Sequence, residues 1–128
     1  MKSVYLGVSL IALSSALAQA ETTVERGQYL VTTIGACGNC HTPRVGDDFK
    51  ITPGTELSGG FEFTDPDIGP IVPPNITPDI ATGIGEWTNA QIVEALRNGK
   101  RPDGKLLGPP MPIPVYRELS DNDVLPIW

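Results

Sequence analysis

Two thiols and an imidazole fall within five residues of this chain, Cys37-Gly38-Asn39-Cys40-His41. The pattern is C-x-x-C-H, the attachment signature for c-type haem. A spacing of three lets both sulfurs reach one edge of a porphyrin from a single helical turn, each adding across a vinyl group. The histidine directly after the second cysteine then lies under the iron as a ligand. Electron carriers of this kind use two protein ligands, and a thioether opposite an imidazole stabilises the ferrous form and raises the potential. Apart from Met1 the chain has one methionine, Met111, set among Pro109, Pro110, Pro112 and Pro114. It lies far enough beyond His41 for the chain to pass round a porphyrin. The preference of haem iron for soft donors makes Met111 the candidate distal ligand. The competing reading is a gap-filling core methionine, which a proline-rich loop does not favour.

The cysteines have other readings. A thioredoxin-type redox pair wants a βαβ context, which this Pro- and Gly-rich chain lacks. A zinc site needs four ligands, and Cys37, Cys40 and His41 offer three. A disulfide over so short a loop would staple little chain. His41 is the only histidine, so no acid–base or nucleophilic constellation forms around a second one. No catalytic residue is assigned, and hydrolase chemistry has no support.

Four stretches must position these groups. Thr22 or Thr23 can cap a helix from about Val24 towards Ile34, with Leu30 and Ile34 on one face and Gly27 allowing close approach. Gly35 leads from it into the cysteine motif. A long irregular belt follows, roughly residues 43–85, dense in turn signals such as Pro53-Gly54, Gly59-Gly60 and Pro73-Pro74. It reads as chain wrapped around a cofactor. Thr88 and Gln91 form a capping box for the best-defined helix, with Ile92, Val93 and Leu96 on its apolar face and Gly99 as its stop. Arg97, Lys100 and Arg101 near its end read as helix-terminus charges, with a docking patch as the alternative. Prolines stiffen the Met111 loop, and Ser120 with Asp123 marks one more helix start. Trp87 and Asn75 are candidate hydrogen-bond donors to a haem edge, against a core and a turn role respectively. Tyr116 is a candidate for packing on the ligand loop.

Residues 1–20 read as a secretory signal peptide: Lys2, an apolar run over Val4 to Leu13, and Ala18-Gln19-Ala20 as the cleavage site. An uncleaved anchor is the competing reading, although the run is short for a membrane span. Cleavage after Ala20 leaves residues 21–128 as one domain, with no transmembrane segment expected in it. C-type haem is attached outside the cytoplasm, so an export signal and C-x-x-C-H support each other. The chain carries 9 Lys and Arg against 15 Asp and Glu, a formal charge of −6, and loses Lys2 with the signal. Such an acidic balance excludes nucleic acid as a partner and suits docking on a basic protein surface. With 14 Gly and 13 Pro, and clear apolar periodicity in only a minority of the chain, the polypeptide has little core of its own. The haem-free chain is expected to be largely unfolded.

The motifs together resemble monohaem class I cytochromes c. They are particularly similar to the cytochrome c domains that accompany bacterial periplasmic dehydrogenases for alcohols, aldehydes and sugar acids. The resemblance is carried by Arg26-Gly27-Gln28-Tyr29-Leu30-Val31, the Cys37 to Pro43 run, Asn75-Ile76-Thr77-Pro78-Asp79 and Thr82-Gly83-Ile84-Gly85-Glu86-Trp87-Thr88. Arg101-Pro102-Asp103-Gly104 and Pro109-Pro110-Met111-Pro112 complete it, in the expected order. It implies a small all-α fold, a few helices wrapped around one covalent haem c. Cys37 and Cys40 would be the attachment sites, His41 the proximal ligand and Met111 the distal one. It also implies single-electron transfer in the periplasm, from a dehydrogenase to another cytochrome or a terminal oxidase. On this reading the chain is a carrier and not an enzyme in its own right. One departure concerns the C-terminal helix, expected to be shortened: Pro126 falls inside it, where a proline costs ~3 kcal/mol. Leu125 and Trp128 would pack in its place, or the sequence is truncated. Two alternatives follow: a haem-based small-ligand binder or sensor with a displaceable Met111, and a non-functional fragment.

Overall fold

The computed structural model describes residues 21–46 and 48–127. The signal peptide expected over residues 1–20 lies outside them, as does Trp128. Thr22 begins helix α1 (Thr23–Tyr29) with a reciprocal cap: its hydroxyl accepts from the Glu25 N–H at 3.2 Å, and the Glu25 carboxylate accepts from the Thr22 N–H at 2.8 Å. Those bonds hold the Glu25 carboxyl below the usual carboxylate range. The helix then widens into one π-helical turn, Leu30–Ile34, closed by the Gly35 N–H on the Leu30 carbonyl at 2.6 Å. A regular helix would put Leu30 and Ile34 on one face. Here, however, they do not share a buried face: Leu30 is 3% exposed and Ile34 58%.

After helix α2 (Gly38–His41) the belt corrects the all-α expectation. It contains two antiparallel ribbons. Strands β1 (Arg44–Val45) and β2 (Lys50–Ile51) pair Arg44 with Ile51, and β3 (Phe63–Asp65) and β4 (Gly69–Ile71) pair Phe63 with Ile71. Turn chemistry explains both. The Phe49 N–H donates to the Gly46 carbonyl, with both residues at positive φ. Asp65 Oδ1 accepts from the N–H groups of Asp67 and Ile68 at 2.9 and 3.0 Å, closing the second hairpin. Phe61 bridges the ribbons, with ring centroids 6.3 Å from Phe49 and 6.2 Å from Phe63.

Helix α3 (Asn89–Asn98) starts at the Thr88/Gln91 capping box and stops at Gly99, whose φ of 65° is left-handed. It turns Ile92 and Ala95 inward, at 5% and 6% exposure, while Val93 and Leu96 remain half-buried. Helix α4 (Ile113–Tyr116) packs on α3, burying Ile113 and Tyr116. Helix α5 (Asp121–Val124) continues into a 3-10 turn, Leu125–Ile127, that lies against α1. Val124 is the inward residue here, at 1% exposure, whereas Leu125 is half exposed. Gly27 makes the α1 contact possible, because a Cβ there would meet the Pro126 carbonyl. Beside it Arg26 donates from Nε and Nη2 to one Asp123 oxygen, at 2.9 and 2.6 Å. Arg97 is likewise engaged: its Nη2 donates to the Leu119 carbonyl and to Asp121, each at 2.7 Å. No helix among the described residues is long and apolar enough to cross a membrane.

Candidate haem-binding site

The cysteine motif is delivered by a sharp change of direction. Cys37 donates its N–H to the Val31 carbonyl at 3.0 Å, and Ala36 takes a left-handed φ of 47°. The chain thereby leaves the π-helical turn and enters the single turn of α2, where His41 N–H reaches the Cys37 carbonyl at 2.9 Å. Both thiols are free. Cys37 is half-buried and Cys40 exposed. Burial pushes the Cys37 thiol above its ordinary pKa.

The orientation of His41 is set from far along the chain. Its Nδ1 lies 2.8 Å from the Pro74 carbonyl oxygen. A carbonyl only accepts, so Nδ1 carries the proton and Nε2 keeps its lone pair for a metal. Two further bonds fix the end of α2. The Gly59 N–H donates to the His41 carbonyl at 2.7 Å, and Thr42, 2% exposed, accepts from the Leu57 N–H at 3.0 Å. Gly59 sits at φ 68° with its α-carbon against the Pro74 backbone, where a Cβ would come within 2.3 Å of the carbonyl carbon. One short strap thus holds the backbone of His41 and abuts the residue that aims its ring.

Met111 rides on the proline loop, with its N–H on the Gly108 carbonyl at 3.2 Å and its carbonyl accepting from Ile113 at 2.9 Å. Tyr116, on α4, donates its phenol to the Gly35 carbonyl at 2.6 Å, tying the end of this loop to the approach to the cysteines. Burial raises the phenol's pKa.

His41, Cys37 and Met111 all border one cleft of about 220 Å³. Its walls are mainly apolar: Val31, Leu57, Ile76, Ile84, Ile92 and Leu96. A second groove, bordered by Cys40, Phe63 and Tyr116, meets it along Cys37, Pro74, Leu107 and Met111. Trp87 also lines the main cleft. Asn75 does too, but its side chain serves a turn: Oδ1 accepts from Thr77 N–H and hydroxyl, and Nδ2 donates to Thr82. Sequence reasoning missed Thr42, Gly59 and Pro74, whose roles depend on partners 15 to 33 positions away. It also left Arg101 among ordinary helix-end charges, whereas the residue lines the cleft with its Nε buried and unpartnered. Among the described residues no three His, Cys, Asp or Glu side chains converge to hold a bare metal ion. An apolar cleft bordered by an imidazole, a thioether, a thiol and an unpaired guanidinium donor fits an iron porphyrin: an apolar ring, a metal wanting N and S donors, and carboxylates at its rim.

This arrangement suits the c-type haem attachment to which the sequence motif points. No family model matches the chain. Among curated proteins it is 37% identical over 121 residues to the cytochrome c subunit of the quinone alcohol dehydrogenase of Gluconobacter oxydans, covering 93% of this chain and 23% of that protein. The gluconate 2-dehydrogenase cytochrome c subunit of Pantoea cypripedii is 37% identical over 108 residues, 84% of this chain and 22% of its own length. The fructose dehydrogenase cytochrome subunit of Gluconobacter japonicus is 40% identical over 106 residues, 83% and 20% respectively. The chain therefore spans less than a quarter of the length of these relatives. It is homologous to a segment of these cytochrome c subunits of dehydrogenases.

Proposed function

We propose that this chain is a periplasmic one-electron carrier with one covalent haem c, taking electrons from a dehydrogenase and passing them to a downstream cytochrome or terminal oxidase. Cys37 and Cys40 are the attachment thiols, and His41 and Met111 the iron ligands. When bound, the haem supplies a one-electron couple at its iron. The observation that carries the reading is the 2.8 Å contact between His41 Nδ1 and the Pro74 carbonyl, which frees Nε2 in a cleft that Met111 also lines. The chain's residues do the rest of the work. Pro74 fixes the tautomer and the orientation of the imidazole. The apolar walls keep water from the metal, and an acidic exterior favours docking on a basic surface.

The test is to express the exported protein with haem-maturation machinery and record absorption spectra in both oxidation states, with and without CO. Haem that stays with the denatured polypeptide in a one-to-one ratio, a methionine-to-iron band when oxidised and no CO response are the expected results. Covalent haem that binds CO readily would replace the carrier with a small-ligand binder. Haem lost on denaturation would overturn the cysteine assignment. N-terminal sequencing of the periplasmic fraction tests export, with Glu21 as the expected first residue.

A further inference from the structure

We infer that Tyr116 is a positioning residue for the distal ligand, its hydrogen bond to the Gly35 carbonyl latching the Met111 loop to the segment that carries the cysteines. The inference rests on the haem reading above and deepens it, because it says what keeps Met111 within reach of the iron.

Two independent observations carry it. The first is connectivity. The proximal half of the site is tied within itself, by the Gly59 N–H on the His41 carbonyl and by His41 Nδ1 on Pro74. The distal half is tied within itself as well: the Leu107 N–H reaches the Gly99 carbonyl at 2.6 Å, and Arg117 Nε reaches the Arg97 carbonyl at 3.0 Å. Among the described residues, one hydrogen bond joins residues 97–119 to residues 21–76, from Tyr116 Oη to the Gly35 carbonyl at 2.6 Å. The next tie to α1 lies beyond the loop, from Arg26 to Asp123.

The second is the rigid backbone at both ends of that bond. Tyr116 closes the single turn of α4, with its N–H on the Pro112 carbonyl at 3.2 Å, so its ring is fixed relative to Met111 just before the turn. It is 9% exposed, and it borders the same groove as Met111, Cys37 and Cys40. Gly35 is held as firmly. Its N–H reaches the Leu30 carbonyl at 2.6 Å, and a Cβ on it would lie 3.0 Å from that oxygen and 3.3 Å from Cys37 Sγ. A buried tyrosine usually finds its hydroxyl a partner. Here the partner belongs to the turn that delivers Cys37, so the latch opens only when the Met111 loop and the cysteine segment move apart.

The test compares the holoprotein with Tyr116→Phe, which keeps the ring and removes the donor. The loss of one buried hydrogen bond raises the open population, so the reduced variant is expected to bind CO roughly tenfold faster than the unaltered protein. When oxidised, it is expected to lose the methionine-to-iron band on warming, below its unfolding temperature. Gly27→Ala, which loosens the α1 contact instead, is the control and is expected to keep both properties. An unchanged CO rate and band in Tyr116→Phe overturn the inference. So does an equal change in Gly27→Ala, which would assign the effect to general stability. No covalent haem, or no such band, in the unaltered protein would fail the proposed function first and take the inference with it. Should Tyr116→Phe fail to hold haem, hydrogen exchange in the unaltered, reduced protein decides. The Tyr116 hydroxyl proton and the Met111 N–H are expected to be equally protected, and a less protected hydroxyl overturns the inference.

Discussion

The carbonyl oxygen of Pro126 occupies the place where a side chain on Gly27 would begin: a Cβ there would lie 1.9 Å from it. This contact seats the Leu125–Ile127 turn on α1 with no side chain between the two backbones. Gly27→Ala has to push them apart, and the expected cost is about 1–3 kcal/mol, the usual range for overpacking. Thermal unfolding of the holoprotein measures it. An unchanged melting temperature would mean that the turn can lift off α1 freely.

Gly59→Ala tests the strap beside His41. Its left-handed φ alone penalises a side chain by roughly 1–2 kcal/mol, and the new Cβ would also press on the Pro74 and Asn75 backbone. Displacing Pro74 weakens the bond to His41 Nδ1 and makes the imidazole a poorer donor to iron. The variant is therefore expected to melt lower and to show a higher midpoint potential. A lower melting point with the potential unmoved would separate Gly59 from the aiming of His41.

Thr42→Val keeps the shape of a buried side chain and removes the acceptor for the Leu57 N–H. Leaving that donor unpaired costs about 1–3 kcal/mol. Thr42→Ser, which retains the hydroxyl, is expected to lose less. Chemical denaturation of the two holoproteins side by side gives the comparison, and equal losses would assign the effect to packing instead.

Acid should loosen the contact between α1 and α5. Hydrogen bonds from Arg26, and then from Ser120, hold the Asp123 carboxyl below the usual carboxylate range. A carboxyl depressed in the folded state contributes stability above its unfolded pKa, about 3.9, and loses it as pH falls through the folded value. Melting temperatures from pH 7 down to 2.5 should therefore fall at the acid end, and Asp123→Asn should start lower and fall less. Parallel curves for both proteins would show that the tie contributes nothing to acid stability.

What the sequence revealed was local. Thr22 with Glu25, and Thr88 with Gln91, announce helix starts because each cap closes within three residues. Gly99 ends α3 for an equally local reason, its left-handed φ. Cys37, Cys40 and His41 are contiguous, so their chemistry can be read without a fold. The ribbons of the belt were hidden because each is two or three residues long and depends on its turn, not on periodicity. The π-helical turn was hidden because nothing in Leu30–Ile34 departs from an ordinary helical composition. Pro74 and Arg101 take their roles from where the chain returns in space. Proline and arginine types alone do not disclose that.

The bond from His41 to Pro74 also limits what can be borrowed from this protein. Five residues lifted from it into another scaffold would bring two sulfurs and an imidazole. They would leave behind the carbonyl that selects the tautomer, the strap that holds the backbone and the threonine that anchors the strap. A transplanted motif would bind its metal with a ring free to turn, and the loosest member of the site would set its electronic character. Portability here belongs to the stretch from residue 37 to residue 74.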